Sequence, residues 1–246
     1  MREHIKKVEA IDNYNRIFTA LCGSQNYGLA TADSDIDTKS IVIPNFHTLV
    51  RSKKPLSKTY VLDNNEHAEV KDVREMGAQF LKQGMNFLEI LFTPYVDVNQ
   101  KYEWFYSELI KLNERIAYYD KHRAVMAMAG MIQQNCCNAF GIPQKEVKFK
   151  KLATAYRTAK QMDKYIKDYP YKQVLDMREY RDEILSIKNG NLTYEEAIKL
   201  AQGICTKSTD VMTTYPKAQI DESTAQEMFD LIETLFRKEY GICESF

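Results

Sequence analysis

The stretch GSQNYGLATADSDID, residues 23–37, differs from the rest of the chain, which is rich in helix-forming residues. It begins with a Gly-Ser pair and ends with two aspartates, Asp35 and Asp37, separated by one isoleucine. The apolar run RIFTALC, at 16–22, comes directly before it, and the imperfectly alternating run IDTKSIVI, at 36–43, overlaps its end. Both runs predict strands. The sequence therefore places a small-residue turn and two acids between two strands.

The two aspartates predict a metal site. Side chains alternate along a strand, so Asp35 and Asp37 project from one face, with Ile36 toward the core, if the second strand begins at residues 35–37. Two carboxylates on one open face repel each other unless a cation lies between them. Oxygen ligands suit a hard metal, and Mg²⁺ typically binds one or two carboxylates together with substrate phosphates. A third carboxylate from a neighbouring strand would complete a two-metal site.

The Gly-Ser pair predicts a phosphate-binding turn beside that site. Gly23 lets the backbone turn tightly and approach a ligand without interference from a Cβ atom. Ser24 offers a hydroxyl and a backbone N–H to phosphate oxygens, as other small-residue turns do.

These residues resemble the signature of nucleotidyltransferases of the DNA polymerase β superfamily, a Gly-Ser pair followed by Asp-x-Asp. Gly23-Ser24 and Asp35-Ile36-Asp37 match it, and Ser34 before the first aspartate fits as well. The fuller string, with Tyr27-Gly28-Leu29-Ala30 inside it, is most similar to the group of predicted nucleotidyltransferases that includes the RNA-repair-associated polymerase β-like proteins.

The resemblance extends into the second half of the chain. MNFLEILFTP (85–94) and SIKNGNLTYEEA (186–197) resemble later segments of that group, and KKLATAYR resembles a helix that carries a Lys and an Arg seven residues apart, matching Lys150 and Arg157. Residues seven apart lie on one face of a helix. The resemblance implies that this pair contacts nucleotide phosphates; the alternative is a solvated basic face. Thr154 stands where the group commonly has a histidine, so no imidazole role is expected there.

The third carboxylate has two candidates in the short strand predicted at 69–73, EVKDV. Glu69 and Lys71 share one face of that strand, and Val70 and Asp72 share the other. Glu69 aligns better with the strand of the resembled group, in which an acid is followed by an apolar residue. Asp72 has the alternative role of capping the helix that follows. We favour Glu69 and leave Asp72 open, with Glu66 a distant third.

The resemblance implies a metal-dependent transfer of a nucleoside monophosphate from an NTP, such as ATP, to an acceptor hydroxyl, with release of pyrophosphate. Two Mg²⁺ ions, or Mn²⁺ in their place, would be held by Asp35, Asp37 and Glu69, which are also the implied catalytic residues. Gly23, Ser24 and Ser34, with Lys150 and Arg157, would bind the nucleotide. The acceptor is an RNA end, a protein or a small molecule. The alternative is a nucleotide-binding or regulatory module that keeps the fold without turnover.

Composition limits the other classes of function. Lys plus Arg and Asp plus Glu number 34 each, so no net charge indicates a long polynucleotide partner, and a compact acceptor is slightly favoured. Five scattered cysteines with no CxxC spacing and four histidines argue against a disulfide framework or structural zinc. No stretch approaches the roughly 18 apolar residues of a membrane span, and the charged start lacks the apolar core of a signal peptide. We expect reduced thiols, a cytoplasmic location and no membrane partner.

The element pattern predicts a small part with both strands and helices, to about residue 98, followed by a mostly helical C-terminal part. The resemblance implies that the first part is a polymerase β-like core, a small mixed sheet with flanking helices, so the expected fold class is α+β. We place a catalytic domain at 1–98 and a helical domain at 99–246. Residues 45–59 are predicted as a loop. Helices are predicted at 74–82, 87–92, 101–118, 122–139, 145–167, 193–206 and 222–239. Two predicted helix starts have capping-box spacing, one at Asn86 and Glu89 and one at Thr193 and Glu196.

Overall fold

The computed structural model describes residues 1–51, 53–63, 65–140, 146–217 and 219–242. The chain divides into two compact units: the first comprises residues 1–26, 31–119 and 220–246, and the second comprises residues 27–30 and 120–219. These ranges differ from the predicted domains, 1–98 and 99–246. The assignment of catalysis to the first domain stays a prediction.

The first unit contains a mixed sheet. Its strands, among the described residues, are Tyr14–Cys22 (β1), Asp37–Pro44 (β2), Ser57–Val61 (β3), His67–Asp72 (β4) and Val96–Val98 (β5). They lie side by side in the order β3-β4-β2-β1-β5. β2 and β4 are parallel and the other neighbours are antiparallel. The predicted α+β class with a small mixed sheet is confirmed.

The helices of the described residues follow in chain order. In the first unit they are Arg2–Glu9 (α1), Phe46–Val50 (α2), Val73–Leu81 (α3), Met85–Leu88 (α4), Glu103–Lys111 (α5) and Asn113–Ala117 (α6). The second unit holds Lys121–Ala139 (α7), Phe149–Ile166 (α8), Tyr171–Leu175 (α9), Arg181–Lys188 (α10) and Tyr194–Thr214 (α11). The chain then returns to the first unit with Glu222–Tyr240 (α12).

Packing contacts explain why segments that are distant in the sequence belong to the first unit. On α1, Val8 is buried against Val42 of β2 and Val70 of β4, so this helix covers one face of the sheet. α12 packs closely on α3, where a Cβ atom on Gly77 would lie 2.7 Å from the Phe229 ring. A larger residue at position 77 would therefore require the exposed Phe229 ring to move.

The second unit consists of helices in its described part, and the capping box predicted there at Thr193 and Glu196 is confirmed. The Thr193 side chain accepts from the Glu196 N–H at 3.2 Å, and the Glu196 carboxylate accepts from the Thr193 N–H at 2.8 Å, as a capping box requires. Gly190, in the preceding turn, has a φ of 81°, and a Cβ atom there would meet the Phe149 ring at 3.2 Å. The φ therefore favours glycine at this turn, and a Cβ atom there would also require a small shift of the Phe149 ring.

Most predicted elements are present with shifted ends. The strands predicted at 16–22, 36–43 and 69–73 correspond to β1, β2 and β4, and the helix predicted at 145–167 corresponds to α8, although residue 145 lies outside the described residues. The predicted loop at 45–59 is wrong in part. The Asn45 side chain accepts from the Thr48 N–H and begins α2, and the exposed strand β3 starts at Ser57. β3 is polar and lies at the sheet edge, so it carries no apolar alternation. α1 and α10 were not predicted.

Within the described part of the chain, none of the helices is long and apolar enough to cross a membrane.

Candidate functional site

The Gly-Ser turn follows directly from the end of β1. Gly23 has a φ of 79°, a left-handed conformation that favours glycine, and it begins a short 3₁₀ turn over Gly23–Gln25. A Cβ atom at this position would meet nothing within 4 Å, so the backbone conformation rather than crowding requires the glycine. Ser24 is half-exposed in this turn. The turn therefore presents small residues at the end of a central strand.

The side chain of Glu89 accepts hydrogen bonds from this turn. Its side chain is buried, and Oε2 accepts from the Gly23 N–H at 2.9 Å and from Asn26 Nδ2 at 3.2 Å. The predicted capping box of Asn86 and Glu89 is therefore wrong: α4 begins at Met85, Gly84 is its N-cap, and no side chain caps it. The sequence signal that could have identified Glu89 is a single acid within the apolar run 87–92, because a buried carboxylate needs specific partners.

Asp37 lies beside that turn because of strand pairing. It is the first residue of β2 and the register partner of Cys22, the last residue of β1. Its Oδ1 atom accepts from the His67 N–H at 3.1 Å and lies 3.2 Å from His67 Nδ1. The β1–β2 register thus brings Asp37 to within one residue of the Gly23 turn.

Asp35 and Ser34 precede β2. The strand begins one residue later than predicted, so the alternation of a strand does not by itself fix the direction of Asp35, which is exposed. Ser34 makes a local contact: its hydroxyl accepts from the Thr31 N–H at 2.8 Å. The predicted roles of Asp35 in metal binding and of Ser34 in nucleotide binding stay predictions.

Glu69 lies on the same face of the sheet as Asp37. It is the register partner of Lys39 on the parallel strand β2, and Lys39 is two residues beyond Asp37, so the three share one face. Glu69 is occupied by two ammonium groups: Oε2 lies 3.2 Å from Lys39 Nζ, and Oε1 lies 3.2 Å from Lys71 Nζ. Its position agrees with the favoured choice of third carboxylate, but its present partners are lysines.

The other two candidate acids have structural partners. Asp72 is fully buried, and its side chain caps α3 by accepting from the Arg74 N–H at 2.9 Å and binds the Arg74 guanidinium. Glu66 accepts from the Ile36 N–H at 3.1 Å and lies 2.9 Å from His4 Nε2. In the part of the chain that the structure describes, no three His, Cys, Asp or Glu side chains form a group that could hold a metal ion.

Lys39 adds positive charge to this face. Burial alone would lower its pKa, but the pKa is raised because Cys22, Glu89 and Glu69 lie around the ammonium group. Burial, followed by the neighbouring Glu89, raises the pKa of the Cys22 thiol, so the thiol is neutral at physiological pH. The negative charge that favours protonated Lys39 at neutral pH therefore comes from the two glutamates.

The two basic residues predicted to bind phosphate lie in the second unit. Lys150 is exposed in the first turn of α8. The Arg157 guanidinium stacks 4.4 Å above the Tyr27 ring, and its buried Nε has no hydrogen-bond partner among the described residues. Cation–π contact of this kind is typical of arginine. Arg157 is thus engaged with Tyr27, and the phosphate contacts of both residues stay predictions.

The same unit holds the segment 27–30. Arg181 donates to the carbonyl oxygens of Gly28 at 2.6 Å and Ala30 at 2.8 Å, and the Met177 N–H donates to the Tyr27 carbonyl at 3.0 Å. Gly28 has a φ of 69°, and a Cβ atom there would lie 2.4 Å from the Arg178 side chain. Carbonyl groups within residues 27–30 therefore accept hydrogen bonds from Met177 and Arg181, and only the tertiary structure brings these donors to the segment.

Comparison with known proteins identifies a family that matches most of the chain. The model of a family described as RlaP, RNA repair pathway DNA polymerase beta family, matches residues 1–238. No curated protein matches the chain. One solved structure among the matches is a nucleotidyltransferase-like protein from Exiguobacterium sibiricum 255-15; it is 14% identical, with a TM-score of 0.32 over 96% of this chain and 90% of that chain.

Proposed function

This chain belongs to the RNA repair pathway DNA polymerase beta family, and from that premise we propose that it transfers a nucleoside monophosphate from an NTP to an acceptor hydroxyl. The observation that carries the proposal is the pairing of Cys22 with Asp37. This register places the Gly23-Ser24 turn, to which we assign phosphate binding, next to the first carboxylate of β2. A metal-assisted phosphoryl transfer needs both features at one point.

The donor set fits a hard divalent cation in part. Asp35 is exposed and Asp37 half-buried, and their oxygens are the ligands that Mg²⁺ and Mn²⁺ prefer. Glu69 has the right chemistry and shares the face of Asp37, but Lys39 and Lys71 now neutralise it. We propose that Asp35 and Asp37 hold the cation and that Glu69 joins them when it leaves its lysine partners. Bound cations would neutralise phosphate charge and lower the pKa of the acceptor hydroxyl.

The side chains of this chain then supply position and charge. Because the Gly23 N–H is committed to Glu89, the Ser24 hydroxyl is the group of the turn that we assign to the triphosphate. The acceptor oxygen forms a bond to the α-phosphorus, the bond from that phosphorus to the bridging oxygen breaks, and pyrophosphate leaves. In this proposal the Glu69 carboxylate, once released from its lysine partners, takes the hydroxyl proton. Most of the rate would come from positioning and charge neutralisation.

An RNA end is the acceptor we propose first, since the family is described by RNA repair. The net charge of zero gives no general attraction to polyanions, so recognition would depend on local contacts at the RNA end. A protein or a small molecule remains the alternative acceptor.

A second candidate function is a nucleotide-binding module without turnover. Two ion pairs hold Glu69, and the described residues contain no ready group of three metal-binding side chains. Such a module would bind an NTP with Mg²⁺ and release no pyrophosphate.

Labelled nucleotide separates these functions. The protein is incubated with Mg²⁺ or Mn²⁺, with each of the four NTPs labelled at the α-phosphate, and with RNA ends, total protein or metabolites as acceptors. We expect label in the RNA fraction and an equal amount of pyrophosphate. Asp37→Ala should abolish both, whereas Asp210→Ala, which removes an exposed carboxylate from α11, should leave both unchanged. Nucleotide binding without label in any fraction would establish the module instead.

A further inference from the structure

His4 is an unusual core residue for an N-terminal helix. It lies on α1, it is fully buried, and both of its ring nitrogens have partners. Nδ1 lies 3.0 Å from Thr38 Oγ1, and Nε2 lies 2.9 Å from Glu66 Oε2. A carboxylate can only accept, so in the neutral ring Nε2–H donates to Glu66 and Nδ1 accepts from the Thr38 hydroxyl. The ring therefore links Glu66, in the loop before β4, to the hydroxyl of Thr38 on β2.

Glu66 extends this link to the backbone of the motif. Its Oε2 atom binds His4, and its Oε1 atom accepts from the Ile36 N–H at 3.1 Å. Ile36 lies between the two aspartates of the motif, and Thr38 follows the second. The pair formed by His4 and Glu66 thus contacts the chain on both sides of Asp37.

The pair acts from the opposite face of the sheet. Thr38 is buried on the face covered by α1, and alternation places the neighbouring Asp37 on the open face with Glu69. The pair is therefore excluded from contact with a nucleotide on the open face. Its effect on that face therefore passes through the backbone of residues 36–38, or through His67, which follows Glu66 and donates its N–H to Asp37.

The motif needs such support. β2 begins at Asp37, so the ladder of the sheet does not hold Asp35 and Ile36, and the bond from the Ile36 N–H goes to a side chain. Two carboxylates two residues apart also repel each other in the absence of a cation. Ligands of a metal site bind well only when neighbouring groups fix their orientation.

We propose that His4 and Glu66 are positioning residues that hold the segment 35–38 in the conformation that binds the divalent cation. The inference rests on the proposed function, because it concerns the same metal site. A purely structural role would stabilise the fold without changing the affinity for the cation.

The test uses the full chain and two measurements on each variant. Hydrogen exchange of the peptide that contains Ile36 reports whether the motif backbone is held, and titration with Mn²⁺, followed by its electron paramagnetic resonance signal, reports cation affinity. The variants are His4→Ala, Glu66→Ala and Glu66→Gln. Val8→Ala is the matched control, because Val8 is buried on the same helix and face but packs against Val42 and Val70. All are measured below their melting transitions.

We expect His4→Ala and Glu66→Ala to lose protection at Ile36 and to bind Mn²⁺ at least tenfold more weakly. Glu66→Gln should recover much of both, since its amide oxygen can still accept from the Ile36 N–H. Val8→Ala should lower Tm and leave both measurements unchanged.

Three results overturn the inference. They are unchanged protection of Ile36 in His4→Ala, lost protection with parental Mn²⁺ affinity, and an equal loss of affinity in Val8→Ala. If the parent protein itself binds no Mn²⁺ with or without NTP, the proposed metal-dependent function fails first, and the inference fails with it. That result differs from a failure of the inference alone, in which the parent binds and the variants bind equally well.

Discussion

Lys39 Nζ lies 3.2 Å from Glu69 Oε2, and the two residues are register partners on the parallel strands β2 and β4. The lysine lies two residues beyond Asp37 on the same strand and binds the carboxylate that we propose as the third metal ligand. A cation bound by Glu69 has to compete with this ammonium group, because like charges repel at short range. In the proposed site, Glu69 therefore has to leave Lys39 before its carboxylate can bind a cation.

Replacing Lys39 by methionine should raise the affinity for Mn²⁺. The substitution keeps an unbranched side chain but removes the competing charge, and we expect a gain on the order of tenfold, which is about 1.4 kcal/mol. Lys71→Met is the matched control: Lys71 also contacts Glu69 but donates to Ser57 at 2.8 Å, and it lies farther along β4 from Asp37. Its effect should be smaller. A lower affinity in Lys39→Met, measured by the same titration, would show that the lysine supports the site.

Glu69 and Asp72 can be separated by their isosteric amides. Glu69→Gln should eliminate transfer and leave most of the nucleotide affinity, since the role proposed for Glu69 is on the acceptor side. Asp72→Asn should retain activity and lower the free energy of unfolding by on the order of 3 kcal/mol, because it breaks the buried pair with Arg74. Turnover, NTP affinity and urea unfolding give the three readouts. Lost turnover in a folded Asp72→Asn, with activity kept in Glu69→Gln, would reverse the two roles.

Glu89 should control nucleotide affinity without touching the nucleotide. Glu89→Ala removes the acceptor of the Gly23 N–H and of Asn26 Nδ2, so the turn proposed to bind the triphosphate loses its fixed position. Loss of a charge-assisted hydrogen bond costs about 1.5–3 kcal/mol, and we expect KM for NTP to rise by roughly 10- to 100-fold. Glu89→Gln can keep one of the two hydrogen bonds, so its KM for NTP should lie between that of the parent and that of Glu89→Ala. An unchanged KM in a folded Glu89→Ala would remove the turn from nucleotide binding.

We expect the protein to lose stability in acid because of Asp221, which caps the start of α12. Hydrogen bonds from the Ser223 and Thr224 hydroxyls lower the pKa of this N-cap carboxyl to about 2, below the ordinary value of about 3.9. A lowered pKa in the folded state contributes stability above pH 4 that is lost as the pH falls toward 2. Asp221→Asn keeps a side-chain oxygen that can cap the helix but lacks the titrating carboxyl group. The stability gap between parent and variant, measured by urea unfolding, should therefore close between pH 5 and pH 2; a constant gap would contradict this.

Elements with local signals were predicted from the sequence. β1 and β2 follow from apolar runs that a glycine turn separates, and the capping box of Thr193 and Glu196 needs only residues three apart. The short polar strand β3 and the five-residue helix α2 have no such periodicity, so they were predicted as loop. Elements whose stability depends on packing against distant segments carry little signal of their own.

The sequence by itself determined the motif that makes this chain a candidate nucleotidyltransferase, Gly23-Ser24 followed by Asp35 and Asp37 between two strands. Resemblance to the family's short strand favoured Glu69 as the third carboxylate, and Asp72 stayed open because strand alternation does not choose between them. Only the tertiary structure decided what supports these residues. Glu89 reaches Gly23 across 66 positions of the sequence, and His4 reaches Glu66 across 62. The reason is physical: a strand or helix pattern records the face on which a side chain lies, whereas the partner of a buried polar group is set by strand order and register, which bring distant residues together.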